Sequence, residues 1–210
     1  MLLVVFNLFL VCNVNGANVP HHYELLSGKT HEVTDTIRRK GLFIGMGLGA
    51  SHTTRKFSTN SYGINEKYAD SNIGVTLEFK IGFSIRERVL VYYRERSIIS
   101  SDYHFGNGKD EMFITTLAAI GVSYYIKKNV PSLYLNSSFG YALSNFLTSY
   151  RTPENHGVGY GVGIGYSFPK KINLELNYES MNLKPREYSQ VPEHKRTSIS
   201  VTLLYSFFIH

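Results

Sequence analysis

Charged residues recur at every second position in two short runs, Glu78 and Lys80 in "LEFKIG" and Arg94 and Arg96 in "YYRERS", while Glu175 and Glu179 stand four apart in "LELNYES". Spacings of two and four put each pair on one face of a strand, so the chemistry on offer is ion pairing between neighbouring faces. Nucleophilic chemistry would need a Ser with a His and an acid in reach. Ser51 with His52, Glu95 and His156 are the candidates, and none forms a recognisable motif. The run "HGVGYGVGIGYSF" places Gly157, Gly159, Gly161, Gly163 and Gly165 at alternate positions, but Val162 and Ile164 break the spacing of a phosphate-cradling loop. A formal GxGxxA at Gly45, Gly47 and Ala50 is followed by "SHTTRK" instead of an amphipathic helix. With Cys12 the lone cysteine and no Cys/His cluster, neither a disulfide nor a structural metal is expected, and no cofactor or catalytic residue is assigned.

These residues need elements that hold them on one face. At 210 residues the chain suits one sizeable domain. Hydrophobic residues at 43% support a folded core, whereas charged residues at 18% fall below the usual quarter of a soluble domain, which hints at a surface not wholly in water. The opening "MLLVVFNLFLVCNVNGANVP" has an apolar run too short to cross a bilayer as a helix. Residues 1–17 therefore read as a secretory signal peptide, although no Lys or Arg precedes the apolar run. Val11 stands where a lipoprotein signal wants a small residue before Cys12. Residues 18–40 read as a periplasmic leader, and residues 41–210 as the folded domain.

From residue 41 the texture is strict alternation, the mark of strands with two unlike faces. In "SNIGVTLEFKIGF", Ile73, Val75, Leu77, Phe79, Ile81 and Phe83 alternate with Gly74, Thr76, Glu78, Lys80 and Gly82. Strands are predicted at about 41–52, 71–83, 88–99, 111–126, 132–144, 156–168, 171–182 and 196–208. Short connections alternate with long ones at about 53–70, 100–110, 145–155 and 183–195. An all-β, eight-stranded antiparallel up-and-down transmembrane β-barrel has this asymmetry, with short periplasmic turns and four longer extracellular loops. Only closure leaves no unpaired strand edge in lipid.

A soluble barrel would point its apolar face inward. Here the other face is glycine on the first and sixth strands and Ser198, Ser200 and Thr202 on the last, which suits the crowded interior of eight strands better than a water-facing surface. Phe83, Tyr124, Tyr166, Phe168, Tyr205 and Phe207 fall near the short-turn ends of their strands, as an interfacial aromatic girdle would, and Tyr93, Tyr141 and Tyr178 lie toward the far ends. On strand count, loop asymmetry and runs such as "PSLYLNSSFGYAL" and "GVGYGVGIGYSF", the chain resembles the small outer-membrane β-barrels of Gram-negative bacteria, in the opacity-protein, OmpA-like and porin-family sense. The resemblance implies outer-membrane localisation, contact with outer-membrane lipids and lipopolysaccharide, and recognition by the barrel-assembly machinery. Such barrels often end in an aromatic assembly signal; here Tyr205, Phe207 and Ile209 are followed by His210.

For "RVLVYYRERS" two registers compete. One exposes Arg94 and Arg96 to lipid, the other only Glu95; since a mid-membrane Arg costs roughly 2–4 kcal/mol and a Glu less, the second is expected. A turn near Glu87 then sets Glu78 roughly opposite Arg94. With Glu175 and Glu179 on the seventh strand, across the ring, Glu78, Lys80, Arg94 and Arg96 form a balanced lumen network expected to close the barrel. The short turns carry Arg86, Arg88, Lys127, Lys128, Lys170 and Lys171 against Glu87, so most of the formal charge of +6 lies on the periplasmic rim, where anionic head groups lie. No nucleic-acid partner is expected, because no accessible face interleaves basic and aromatic residues. The expected function is that of a non-enzymatic surface protein: an adhesin or antigen meeting host molecules through loops 53–70 and 183–195, or a membrane-stabilising barrel. A narrow non-specific porin and a lipid A-modifying enzyme are the alternatives.

Overall fold

The computed structural model describes residues 39–61, 64–104, 109–146, 155–185 and 193–209. The expected signal peptide, residues 1–17, and the leader up to residue 38 lie outside the described residues, as does His210. Eight strands follow in order: β1 (Gly41–Ser61), β2 (Ile64–Arg86), β3 (Val89–His104), β4 (Lys109–Tyr125), β5 (Ser132–Phe146), β6 (Asn155–Ser167), β7 (Ile172–Pro185) and β8 (His194–Ile209). Each pairs antiparallel with its sequence neighbour and β8 returns to β1, giving a closed barrel in chain order.

Alternation fixes the two faces. Ile73, Phe83, Ile120, Phe139 and Leu203 are among the exposed large apolar residues, with Ile73 80% and Phe83 64% accessible. An apolar belt of that extent around a molecule is covered by lipid, not water. Inward positions carry Gly, Ser, Thr, Asn and the six network charges.

The ladders run past the apolar belt. Two of the stretches expected as loops are largely strand: over 53–70 β1 and β2 stay paired from Thr53↔Asn72 to Ser61↔Ile64, and over 100–110 β3 and β4 stay paired to His104↔Lys109. Of 145–155 and 183–195 only the edges, to Phe146 and from Asn155, and to Pro185 and from His194, are strand among the described residues. Above the bilayer both faces meet water, so alternation fades while the backbone ladder, which does not depend on it, continues. The β1–β2 and β3–β4 connections are thus raised hairpins.

Between β2 and β3 the register departs from expectation by two residues. Glu78 pairs across from Arg96 and Lys80 from Arg94, not Glu78 from Arg94. The turn itself is Glu87–Arg88, with Arg86 opposite Val89, and a register shift follows between Ser84 and Arg86. Without that bulge at Ile85 the two-residue turn would set inward residues of β2 against outward residues of β3. One extra residue restores the parity and brings the charged faces together.

Candidate functional site

The site is the lumen at mid-barrel, assembled from β2, β3 and β7. Lys80 Nζ lies 2.6 Å from Glu175 Oε1 and 3.3 Å from Glu78 Oε1. Arg96 Nη2 donates to Glu78 Oε2 at 2.5 Å, while its Nη1 lies 3.4 Å from Glu179 and donates to Ser200 Oγ at 2.8 Å. Arg94 donates to Glu179 across the barrel and stands 3.9 Å from Glu78. All six side chains are at most 2% accessible. Three cations face three carboxylates, so the cluster is neutral as a whole, the condition under which buried charges persist.

Neighbouring residues hold the carboxylates in place. Tyr134 Oη and Asn177 Nδ2 donate to the two oxygens of Glu175 at 2.7 and 3.1 Å, and Lys80 Nζ sits 5.1 Å from the centroid of the Tyr92 ring. Toward the periplasm an apolar cluster of Phe43, Leu90, Tyr92, Tyr125, Tyr134 and Leu204 floors the network. Toward the outer side Leu117, Ala119, Ala142, Met181 and Leu183 pack along the β4–β5–β7 wall. Further out, Arg55 stacks 4.4 Å from the centroid of Phe113, and Arg196 donates to Thr115 and, at 2.9 Å, to Ser100 Oγ.

Arg55, Arg196 and Tyr134 are lumen residues that the sequence reading did not single out. Arg196 continues the inward series Ser198, Ser200, Thr202, and Tyr134 shares parity with Asn136 and Ser138, so period two could have found both. Arg55 lies beyond the expected end of β1. The glycines of β6, Gly157 to Gly165, all occupy inward positions: Gly159, Gly161 and Gly165 lie against the side chains of Leu117, Arg94 and Tyr134, whereas Gly157 lies against the backbone of β7. A Cβ at Gly161 would stand 2.9 Å from Arg94 Nη2, and one at Gly165 would collide with the Tyr134 ring.

On the outer face Phe83, Tyr124, Phe168 and Tyr205 are exposed, and Tyr166 and Phe207 face outward half-buried. Tyr166 and Phe168 meet edge-on at 4.6 Å. Glu95 also points outward, half-buried, flanked by Phe79 and Ala118 across the ladders. An acid in that apolar belt opposes stability, so Glu95→Leu is expected to keep the fold and raise its stability by up to about 2 kcal/mol, read as a later urea midpoint of the heat-modifiable gel shift.

Ser51 and His52 do not form a pair. Ser51 is buried and donates to Gly74 O at 3.3 Å, whereas His52 faces out and lies 2.9 Å, Nε2 to Oγ, from Ser71. Adjacent residues on a strand must point to opposite faces. Asp70, the nearby acid, accepts from the Ser71 amide and from Asn72 Nδ2. His156 packs against Tyr141, with centroids 6.1 Å apart.

A family model described as "Outer membrane protein beta-barrel domain" matches residues 34–207. Among solved structures, the Neisserial surface protein A (NspA) has 14% identity and a TM-score of 0.51, with 78% of this chain and 97% of that chain covered. Ail, the attachment invasion locus protein of Yersinia pestis, solved with the heparin analogue sucrose octasulfate, has 16% identity and a TM-score of 0.49, with 80% and 99% covered. OprG of Pseudomonas aeruginosa has 10% identity and a TM-score of 0.47, with 83% and 100% covered. At these identities the likeness is one of fold. No curated protein sequence matches the chain.

Proposed function

The chain belongs to the outer membrane protein β-barrel family, and from that premise we propose that it acts at the cell surface through its raised hairpins, as an adhesin or exposed antigen, and not as an open solute pore. It resides in the bacterial outer membrane with its loops extracellular and its termini periplasmic. The observation that carries the reading is the lumen: six charges at most 2% accessible, tied across the barrel from β2 and β3 to β7 and set between apolar clusters. A solute path would have to separate those pairs in a low dielectric, where each separation is expensive.

What remains for contact with other molecules is the outer rim, where β1–β2 rises over residues 53–70 and where β7 ends at Pro185 and β8 begins at His194. Host surface molecules are the proposed partners there, with lipopolysaccharide around the base of the hairpins and the barrel-assembly machinery acting during insertion. The lipid A-modifying alternative has one contact in its favour, His52 to Ser71 at 2.9 Å. Among the described residues no acid orients the imidazole, and the Asp70 contacts run to Ser71 and Asn72.

Purified protein in planar bilayers is expected to give no steady single-channel conductance, while cells expressing it bind host matrix above empty cells and lose that binding when residues 53–70 are exchanged for a short turn. A reproducible unitary conductance would replace this reading with the porin one.

A further inference from the structure

The periplasmic base of β1–β4 carries a feature that a closed surface barrel does not need. A groove of about 750 Å³ opens on the outer wall, lined by Lys40, Arg86, Glu87, Arg88 and Lys128 on its lower side and by Ile85, Val89 and Tyr124 on its upper side. Ile85 and Tyr124 are 69% and 47% accessible, so the upper side runs on into the lipid belt.

The groove is held in shape from within. Arg39, buried, donates Nη1 to Lys127 O at 2.9 Å and to Lys128 O at 3.1 Å and stacks 3.9 Å from the centroid of Tyr125. Ser84 Oγ donates to Arg39 O at 2.6 Å. These bonds fix the chain entering β1, the β2 end and the β4–β5 turn against one another. The Lys40 and Lys128 ammonium groups then converge on a single anion, the Glu87 carboxylate, at 3.9 and 3.4 Å. Four cations against one carboxylate leave the groove strongly positive.

We propose that this groove binds one anionic phospholipid of the inner leaflet, with its phosphate between Lys40 and Lys128 and an acyl chain along Ile85, Val89 and Tyr124. The inference rests on membership of the outer-membrane barrel family, and a failed test would leave that membership untouched. Charge complementarity selects the occupant. A zwitterionic head group brings its own cation into a site already crowded with them, and a soluble phosphate leaves the apolar wall unused. Glu87 acts as the built-in competitor that lipid phosphate displaces.

The full chain, reconstituted in vesicles of phosphatidylethanolamine and phosphatidylglycerol, extracted and weighed by native mass spectrometry, tests this directly. Phosphatidylglycerol is expected among retained lipids well above its share of the vesicle. A cation at an anionic lipid surface changes affinity roughly fivefold, so Lys40→Gln with Lys128→Gln should cut the enrichment more than about tenfold, and Glu87→Gln should raise it roughly fivefold. Lys171→Gln, on the β6–β7 turn at the opposite wall, removes the same charge outside the groove and is expected to change little. Equal retention of both lipids, an equal loss from Lys171→Gln, or full displacement by inorganic phosphate would each overturn the proposal. A preserved heat-modifiable shift in every variant confirms that the lumen is intact.

Discussion

Glu78→Leu is expected to cost about 3–5 kcal/mol of stability, seen as a urea midpoint of the heat-modifiable gel shift far below that of the unaltered protein. Glu78 touches all three cations: Arg96 at 2.5 Å, Lys80 at 3.3 Å and Arg94 at 3.9 Å. Without it three buried cations face two carboxylates, and one positive charge is left without an answering anion. The loss therefore measures the uncompensated charge more than the missing contacts. The double variant Glu78→Leu with Lys80→Met removes one charge of each sign from the same strand. It leaves Arg94 and Arg96 with Glu175 and Glu179, a neutral set whose contacts remain in place, and Glu175 keeps Tyr134 and Asn177 as donors. Most of the lost stability is expected to return, as replacing a buried ion pair by packed apolar groups is often close to neutral. A double variant no better than the single one would mean that charge balance is not what holds the lumen, and the coupling between the two sites is read from the cycle.

How much of this was legible in the sequence depends on which solvents the two faces meet. Within the bilayer one face sees lipid and the other a packed interior, so residue types separate with period two, and strand identity and facing follow directly for runs such as Ile73 to Phe83. Beyond the belt both faces are wet. Strand ends leave no pattern there, and Thr53 to Ser61 reads as loop although each residue is paired. Arg55 belongs to that stretch and carries no inward signature for the same reason. The β2–β3 register was illegible on other grounds: the bulge at Ile85 has no residue signature, since it is one more apolar residue in an apolar series, yet it decides whether Glu78 meets Arg96 or an outward side chain. The groove at the periplasmic base was visible only as a surplus of turn cations. That one of them, Lys128, converges on Glu87 together with Lys40 depends on Arg39, and both Arg39 and Lys40 read as part of a leader segment.

Gly161→Leu is the second large effect, because it attacks the network from the opposite wall. Gly161 lies on β6 directly across the ladder from Glu179, and a Cβ there would stand 2.9 Å from Arg94 Nη2, 3.0 Å from Ser138 Oγ and 3.4 Å from Glu179 Cγ. A single methyl is tolerable, since the tip of Arg94 can give a few tenths of an ångström, so Gly161→Ala should fold with a modest loss. Leucine adds a branched isobutyl group where the guanidinium lies and must push Arg94 away from Glu179, so an overpacking cost of about 1–3 kcal/mol adds to a parted buried ion pair. The expected outcome is protein that no longer shows the folded band of the heat-modifiable shift. Val162→Leu, one residue along, adds a methylene on a side chain 49% accessible on the lipid face and should leave that band unchanged. Adjacent residues with the same substituent and opposite outcomes follow from the two faces of one strand alone. If both variants folded equally well, the assignment of the glycine face to a filled lumen would fail, and with it the closure on which the surface role rests.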